Sequence, residues 1–132
     1  MKQFRYYHQI EQSDCGLCCL RMVSSWFGRD ISAKQIRSYA DISREGMSIL
    51  ALKQCAESIG FKTWGIRLKP DLLNDAPLPI ILFWNNNHFA VLWKIKKNIF
   101  YIADPAEGML KFKKNDFTDF FVGKLVMGLP YC

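Results

Sequence analysis

QIEQSDCGLCCLRM, residues 9–22, places three of the chain's five cysteines within five positions, behind a polar run and at the head of an amphipathic stretch. Three chemistries fit such a cluster: a redox pair, half of a metal site, or one nucleophile with two buried neighbours. From Cys15 the positions Cys18, Cys19, Met22, Val23 and Trp26 recur at helical spacing, with Gly28 as a stop and Ser13 or Asp14 as a cap. The thiols therefore fall on the first turns of a predicted helix, and the rest of the chain has to say what they do there.

Two further helix starts follow. Ser32-Ala33-Lys34-Gln35 is a capping-box pattern leading to Ile36 and Tyr39. Ser48 opens a third helix, whose inward stripe Leu52, Cys55, Ala56 and Ile59 ends at Gly60. Beyond residue 60 the texture changes. KTWGIRL, PIILFW, HFAVLWKI and NIFYIAD are short, rich in β-branched and aromatic residues, and separated by turn formers. Asn85-Asn86-Asn87 reads as a tight connection between two of them. MLKFKK and GKLVMGL add candidate strands, with a short helix or turn from Asn115-Asp116. Helices first and strands afterwards predict an α+β domain of two lobes, with a cleft between them as the place for a site.

At 132 residues the chain reads as one domain, able to bury a core without disulfide or metal staples. Half its residues are hydrophobic and 23% are charged, an ordinary globular balance. The net charge of +6 is scattered, which argues against nucleic acid and suits an acidic peptide partner. MKQFRYYHQIEQ at the start lacks the apolar core of a signal peptide. The longest strongly apolar stretch, Leu78 to Trp84, is far too short to cross a bilayer. With an odd number of cysteines and no export signal, reduced thiols are expected.

Cys15-Gly16-Leu17-Cys18 has the spacing of a thioredoxin-type centre, but Glu11-Gln12-Ser13-Asp14 does not read as the strand that should precede one. A structural zinc site needs four ligands; His8 and His88 are the only histidines and no second C-x-x-C occurs. A nucleophile needs less. Cys15 at a helix N-terminus is favoured as thiolate, while Cys18 and Cys19 fit the buried stripe. His88 opens a strand after a polar turn and is the better candidate base; His8 lies in a polar segment and reads as a solvated surface residue. If the strands ending in Asp104 and starting at His88 pair as a hairpin, that carboxylate can hold the imidazole. On spacing alone, Asp104 serves equally well as the start of a turn before Pro105 and Gly108.

A resemblance separates these readings. QIEQSDCGLCCL resembles the nucleophile motif of the bacteriocin-processing cysteine peptidases that form the N-terminal domain of peptidase-containing ABC transporters. It continues in order through WFGRDIS, REGMSILALKQCAESIGFKTWGIRL, LPIILFWNNNHFAVL and IADP. The resemblance implies a papain-like fold in a single domain, residues 1–132, with a helical lobe to about 60 and an antiparallel β lobe after it. By position it implies Cys15 as nucleophile, His88 as general base and acid, Asp104 as orienting carboxylate and Gln9 as oxyanion donor, with Gln12 as a rival for the last role. Cys18 departs from the pattern, since relatives often carry a small or apolar residue there.

The same resemblance implies the partners. The substrate would be the precursor of a secreted bacteriocin or signalling peptide, cut after a double-glycine leader, with neither metal nor cofactor. No G-x-x-x-x-G-K phosphate loop occurs, so ATP hydrolysis would belong to other parts of an ABC exporter, including its membrane spans. This domain would face the cytoplasm at a bacterial inner membrane. Its leader would dock as an amphipathic helix on an apolar surface, for which ten phenylalanines and four tryptophans offer material. The alternatives are a non-catalytic leader-docking domain and, more distantly, a thiol oxidoreductase.

Overall fold

The computed structural model describes residues 3–39, 46–67, 69–84 and 88–130, with side chains described outside 12, 65–67, 70 and 122–130. Three helices come first: α1 (Cys15–Trp26), α2 (Ala33–Arg37) and α3 (Ile49–Ser58). Six strands follow: β1 (Phe61–Arg67), β2 (Ile80–Trp84), β3 (His88–Lys96), β4 (Ile99–Asp104), β5 (Gly108–Lys113) and β6 (Phe121–Pro130), with α4 (Lys114–Phe120) between the last two. They form one antiparallel sheet in the order β1-β6-β2-β3-β4-β5.

Local chemistry sets most element ends. Ser32 and Ser48 cap α2 and α3 by accepting the amides of Gln35 and Ala51. Gly28 and Gly60 follow α1 and α3 at φ +83° and +102°, a backbone region that strongly favours glycine. Lys97 and Asn98, both at positive φ, make the two-residue β3–β4 turn, the primed type whose twist suits a hairpin. The start of α1 differs from the sequence expectation. No side chain caps it: a 3-10 turn, Gln12–Asp14, runs straight into the helix, and the Asp14 carboxylate turns to Arg37 instead. Helix α2 is also short, leaving Tyr39 beyond its end and 45% exposed.

Cores lie on both faces of the sheet. On one, Leu17, Leu20, Met22 and Val23 of α1 and Leu52, Cys55 and Ala56 of α3 pack with Ile81, Phe89, Val91 and Ala103. On the other, the 3-10 segment Pro70–Asp75 and α4 bring Leu73 and Phe117 against Ile80, Leu82, Leu92, Phe100 and Ile102. Phe117 stacks on Phe100 at 4.3 Å, and burying each such ring contributes about 1.5–3 kcal/mol. Most described aromatics are taken up in these two cores. Among the described residues the most exposed large apolar side chains are the aliphatic Ile10 and Leu50, with Trp64 and Phe120 exposed as well.

A bulge in β3 frees one indole to anchor the N-terminal segment. The β3–β4 register steps between Leu92 and Lys94, leaving Trp93 outside the Cα pairing with β4. Its indole stacks on Phe4 at 5.1 Å, and Phe4 also contacts Trp26 of α1. The segment is thereby held where α1 crosses β3.

Candidate active site

Helix α1 packs across β3, which brings its first residue to the first residue of that strand. Cys15, at the start of α1, comes up to His88, at the start of β3, close enough for thiol and imidazole to shift each other's ionisation, and it also faces the backbone amides of Phe89 and Gly16. On the other side of the ring, His88 Nε2 lies 2.6 Å from Asp104 Oδ1 at the end of β4. Nε2 being engaged there, Nδ1 is the nitrogen left for the thiol. The three residues meet although they come from three elements.

Asp104 is tightly held. Its Oδ1 also accepts the amides of Ala106 at 2.9 Å and Glu107 at 3.3 Å, so the carboxylate closes its own turn. The cysteine, histidine and aspartate side chains are all largely withdrawn from solvent.

Burial shifts these groups against ionisation, but their mutual contacts win. Burial alone would push the Cys15 thiol up; the His88 hydrogen bond, the Phe89 amide and the His88 charge outweigh it and hold the thiol below its ordinary value. Burial likewise opposes the imidazolium, yet Asp104 and Cys15 raise His88 to about 9. Asp104 is held below the usual carboxylate range despite burial, by His88 and the Ala106 amide. Each of the two groups therefore shifts the other toward its charged form, Cys15 toward thiolate and His88 toward imidazolium. Cys18 goes the other way: burial, then the charge of Asp14, push it up to about 11, and burial holds Cys19 well above its ordinary value. All four described cysteines are free thiols.

Gln9 sits beside the acid's turn, its amide N–H donating to Pro105 O at 2.9 Å. Its Oε1 is buried with no hydrogen-bond partner. Since the nitrogen and oxygen of such an amide exchange by a half turn, this side chain has unspent capacity for a ligand. The Gln12 side chain and the Asn85-Asn86-Asn87 connection lie outside the described residues. His8 is exposed, as the sequence suggested. Among the described residues, no three His, Cys, Asp or Glu side chains group as metal ligands.

Two contacts had no signal in the sequence. The buried Asp14, next to the nucleophile, pairs with Arg37 Nη2 at 3.0 Å. Tyr6 donates its hydroxyl proton to the main-chain oxygen of Asp104 at 2.6 Å.

Residues 3–130 match the model of the Peptidase C39 family, and the chain belongs to that family. It is 33% identical over 116 residues, 88% of the chain, to the colicin V secretion/processing ATP-binding protein of Escherichia coli. To the lacticin-481/lactococcin-DR transport/processing ATP-binding protein of Lactococcus lactis subsp. lactis it is 32% identical, over 92% of the chain. It spans only 17% and 18% of the lengths of these two proteins. Among solved structures, a double glycine motif protease from an AMS/PCAT transporter, in complex with its leader peptide, superposes with TM-score 0.92 at 30% identity, covering 98% of this chain and 94% of that one. The peptidase domain of Streptococcus ComA shares the fold at TM-score 0.90 and 23% identity, over 98% of this chain and all of that one. The α+β architecture is thus that of the C39 peptidase domains. Among the described residues no helix is long and apolar enough to cross a membrane.

Proposed function

We propose that this chain is an active cysteine endopeptidase that removes a double-glycine leader from the precursor of a secreted bacteriocin or signalling peptide. The observation that carries the proposal is His88 held between Asp104 and the thiol of Cys15. In this reading the Cys15 thiolate attacks the carbonyl of the second glycine, forming a C–S bond. The oxyanion is held by the Cys15 main-chain amide and the side-chain amide of Gln9, each such donor contributing about 2.7–4 kcal/mol. The imidazolium of His88 gives its proton to the leaving amine as the C–N bond breaks. His88 then takes a proton from water, which hydrolyses the thioester and restores the thiolate. Asp104 keeps the ring oriented and stabilises its charged form.

The processing and transport names of the relatives support a place within an ABC exporter, with membrane and ATP-binding domains as partners and this domain on the cytoplasmic side. The leader-bound relative supports the choice of substrate. A docking-only role is disfavoured because all three groups needed for chemistry are present and in contact.

A leader peptide ending in a Gly-Gly aldehyde tests the reading. It should form a reversible hemithioacetal with Cys15 and block the enzyme, and Cys15→Ala should bind the same peptide without any covalent adduct. A wild-type enzyme that binds this peptide but forms no adduct would point to the docking role.

A further inference from the structure

Two successive carbonyls of the turn that carries Asp104 are captured by the N-terminal segment. Tyr6 donates its hydroxyl proton to the Asp104 oxygen, and the Gln9 amide donates to the Pro105 oxygen. The segment is fixed at its other end by Phe4 between Trp26 of α1 and the bulged Trp93 of β3. Residues 4–9 thus form a strap from the core to the acid's turn. The Asp104 oxygen also accepts the Glu107 amide, at a longer 3.2 Å. We infer that Tyr6 is a positioning residue, which fixes the peptide plane of Asp104 and so holds the carboxylate on His88 Nε2. This inference rests on the peptidase reading for its consequences in turnover, but not for its geometry.

Without the phenolic hydroxyl, the Asp104 peptide loses its short 2.6 Å bond and the carboxylate gains freedom to swing. A carboxylate even slightly displaced supports the imidazolium less, and misplacements on the order of 1 Å can cost about 10²-fold in rate. Among the described residues, few titratable groups face this site. Tyr6 and His8 come from the strap, Cys15, Cys18 and Cys19 from α1, and Asp104 and Glu107 from the turn; all of these lie close to Tyr6 or to His88. His8 stands 3.4 Å from the Tyr6 hydroxyl and is exposed.

The test is Tyr6→Phe, which removes one oxygen and keeps the ring, with Tyr101→Phe as a control on β4. Iodoacetamide labelling of Cys15 is followed against pH, since a thiolate–imidazolium pair gives two steps, one for each proton lost. In Tyr6→Phe the alkaline step should move down from near pH 9, narrowing the plateau, and kcat on a leader peptide should fall about 10- to 100-fold with KM within about twofold. Phe4→Leu, which keeps the phenol but loosens its anchor, should move both readouts the same way by less. Wild-type steps in Tyr6→Phe would overturn the inference, even if its thermal stability dropped. A narrowed plateau in a protein that cleaves no leader would instead uphold the positioning role and sink the peptidase reading.

Discussion

His88 Nε2 stands 2.6 Å from Asp104 Oδ1, and that contact decides which face of the imidazole meets the nucleophile. An imidazole bonded through Nε2 can serve Cys15 only through Nδ1. The carboxylate has two backbone amides of its own turn to keep it in place. The ring is therefore oriented before any substrate arrives, and its charged form is favoured by a neighbour that stays ionised.

The pH dependence follows from these contacts. kcat/KM should rise as the Cys15–His88 pair loses its first proton, below the ordinary pKa of a thiol. It should fall as the imidazolium is lost near pH 9, the value to which Asp104 and Cys15 raise His88. Asp104→Asn removes the charge, so its alkaline limb should move toward 6.5, the ordinary value for histidine. Steady-state rates across pH measure both limbs.

Reactivity should single out one thiol. Iodoacetamide at neutral pH should label Cys15 well before Cys18 or Cys55, both pushed up to about 11 mainly by burial, and before the fully buried Cys19. Peptide mapping after a short pulse gives the order. Labelling of Cys18 at the rate of Cys15 would favour a redox pair.

Gln9 carries a buried side-chain oxygen without a hydrogen-bond partner, beside the Asp104 turn. Gln9→Ala should therefore lower kcat by roughly 10²–10³ and leave KM nearly unchanged, because the bond is made chiefly in the transition state. Gln12→Ala should have little effect on either constant, and the opposite ranking of the two glutamines would move the oxyanion role to Gln12.

Arg37 is the partner of a carboxylate buried directly before the nucleophile. Arg37→Met leaves Asp14 without that partner, which should cost about 1–3 kcal/mol of stability. An uncompensated negative charge beside Cys15 should also slow its alkylation at neutral pH. Thermal unfolding and labelling rates together check the pair.

Much of the fold could be read locally. The helix stops at Gly28 and Gly60, the serine caps and the first four strands are short-range signals, and the structure places them close to where the sequence does. The 3-10 segment Pro70–Asp75 has no apolar period to announce it. The insertion of β6 between β1 and β2 was invisible because strand order depends on which distant segments share a face. The Cys15, His88 and Asp104 positions were suggested by element ends and singled out by resemblance. Tyr6 and Arg37 were missed because their roles depend on partners 98 and 23 residues away in the chain.

The most direct measurement is mass spectrometry of a synthetic precursor, carrying a full leader and a Gly-Gly junction, after incubation with the wild-type chain and with Cys15→Ala. The account predicts a single cut after the second glycine by the wild type and an intact peptide with Cys15→Ala. Cleavage surviving in Cys15→Ala, or a wild-type chain that binds the leader and leaves the junction whole, would contradict it.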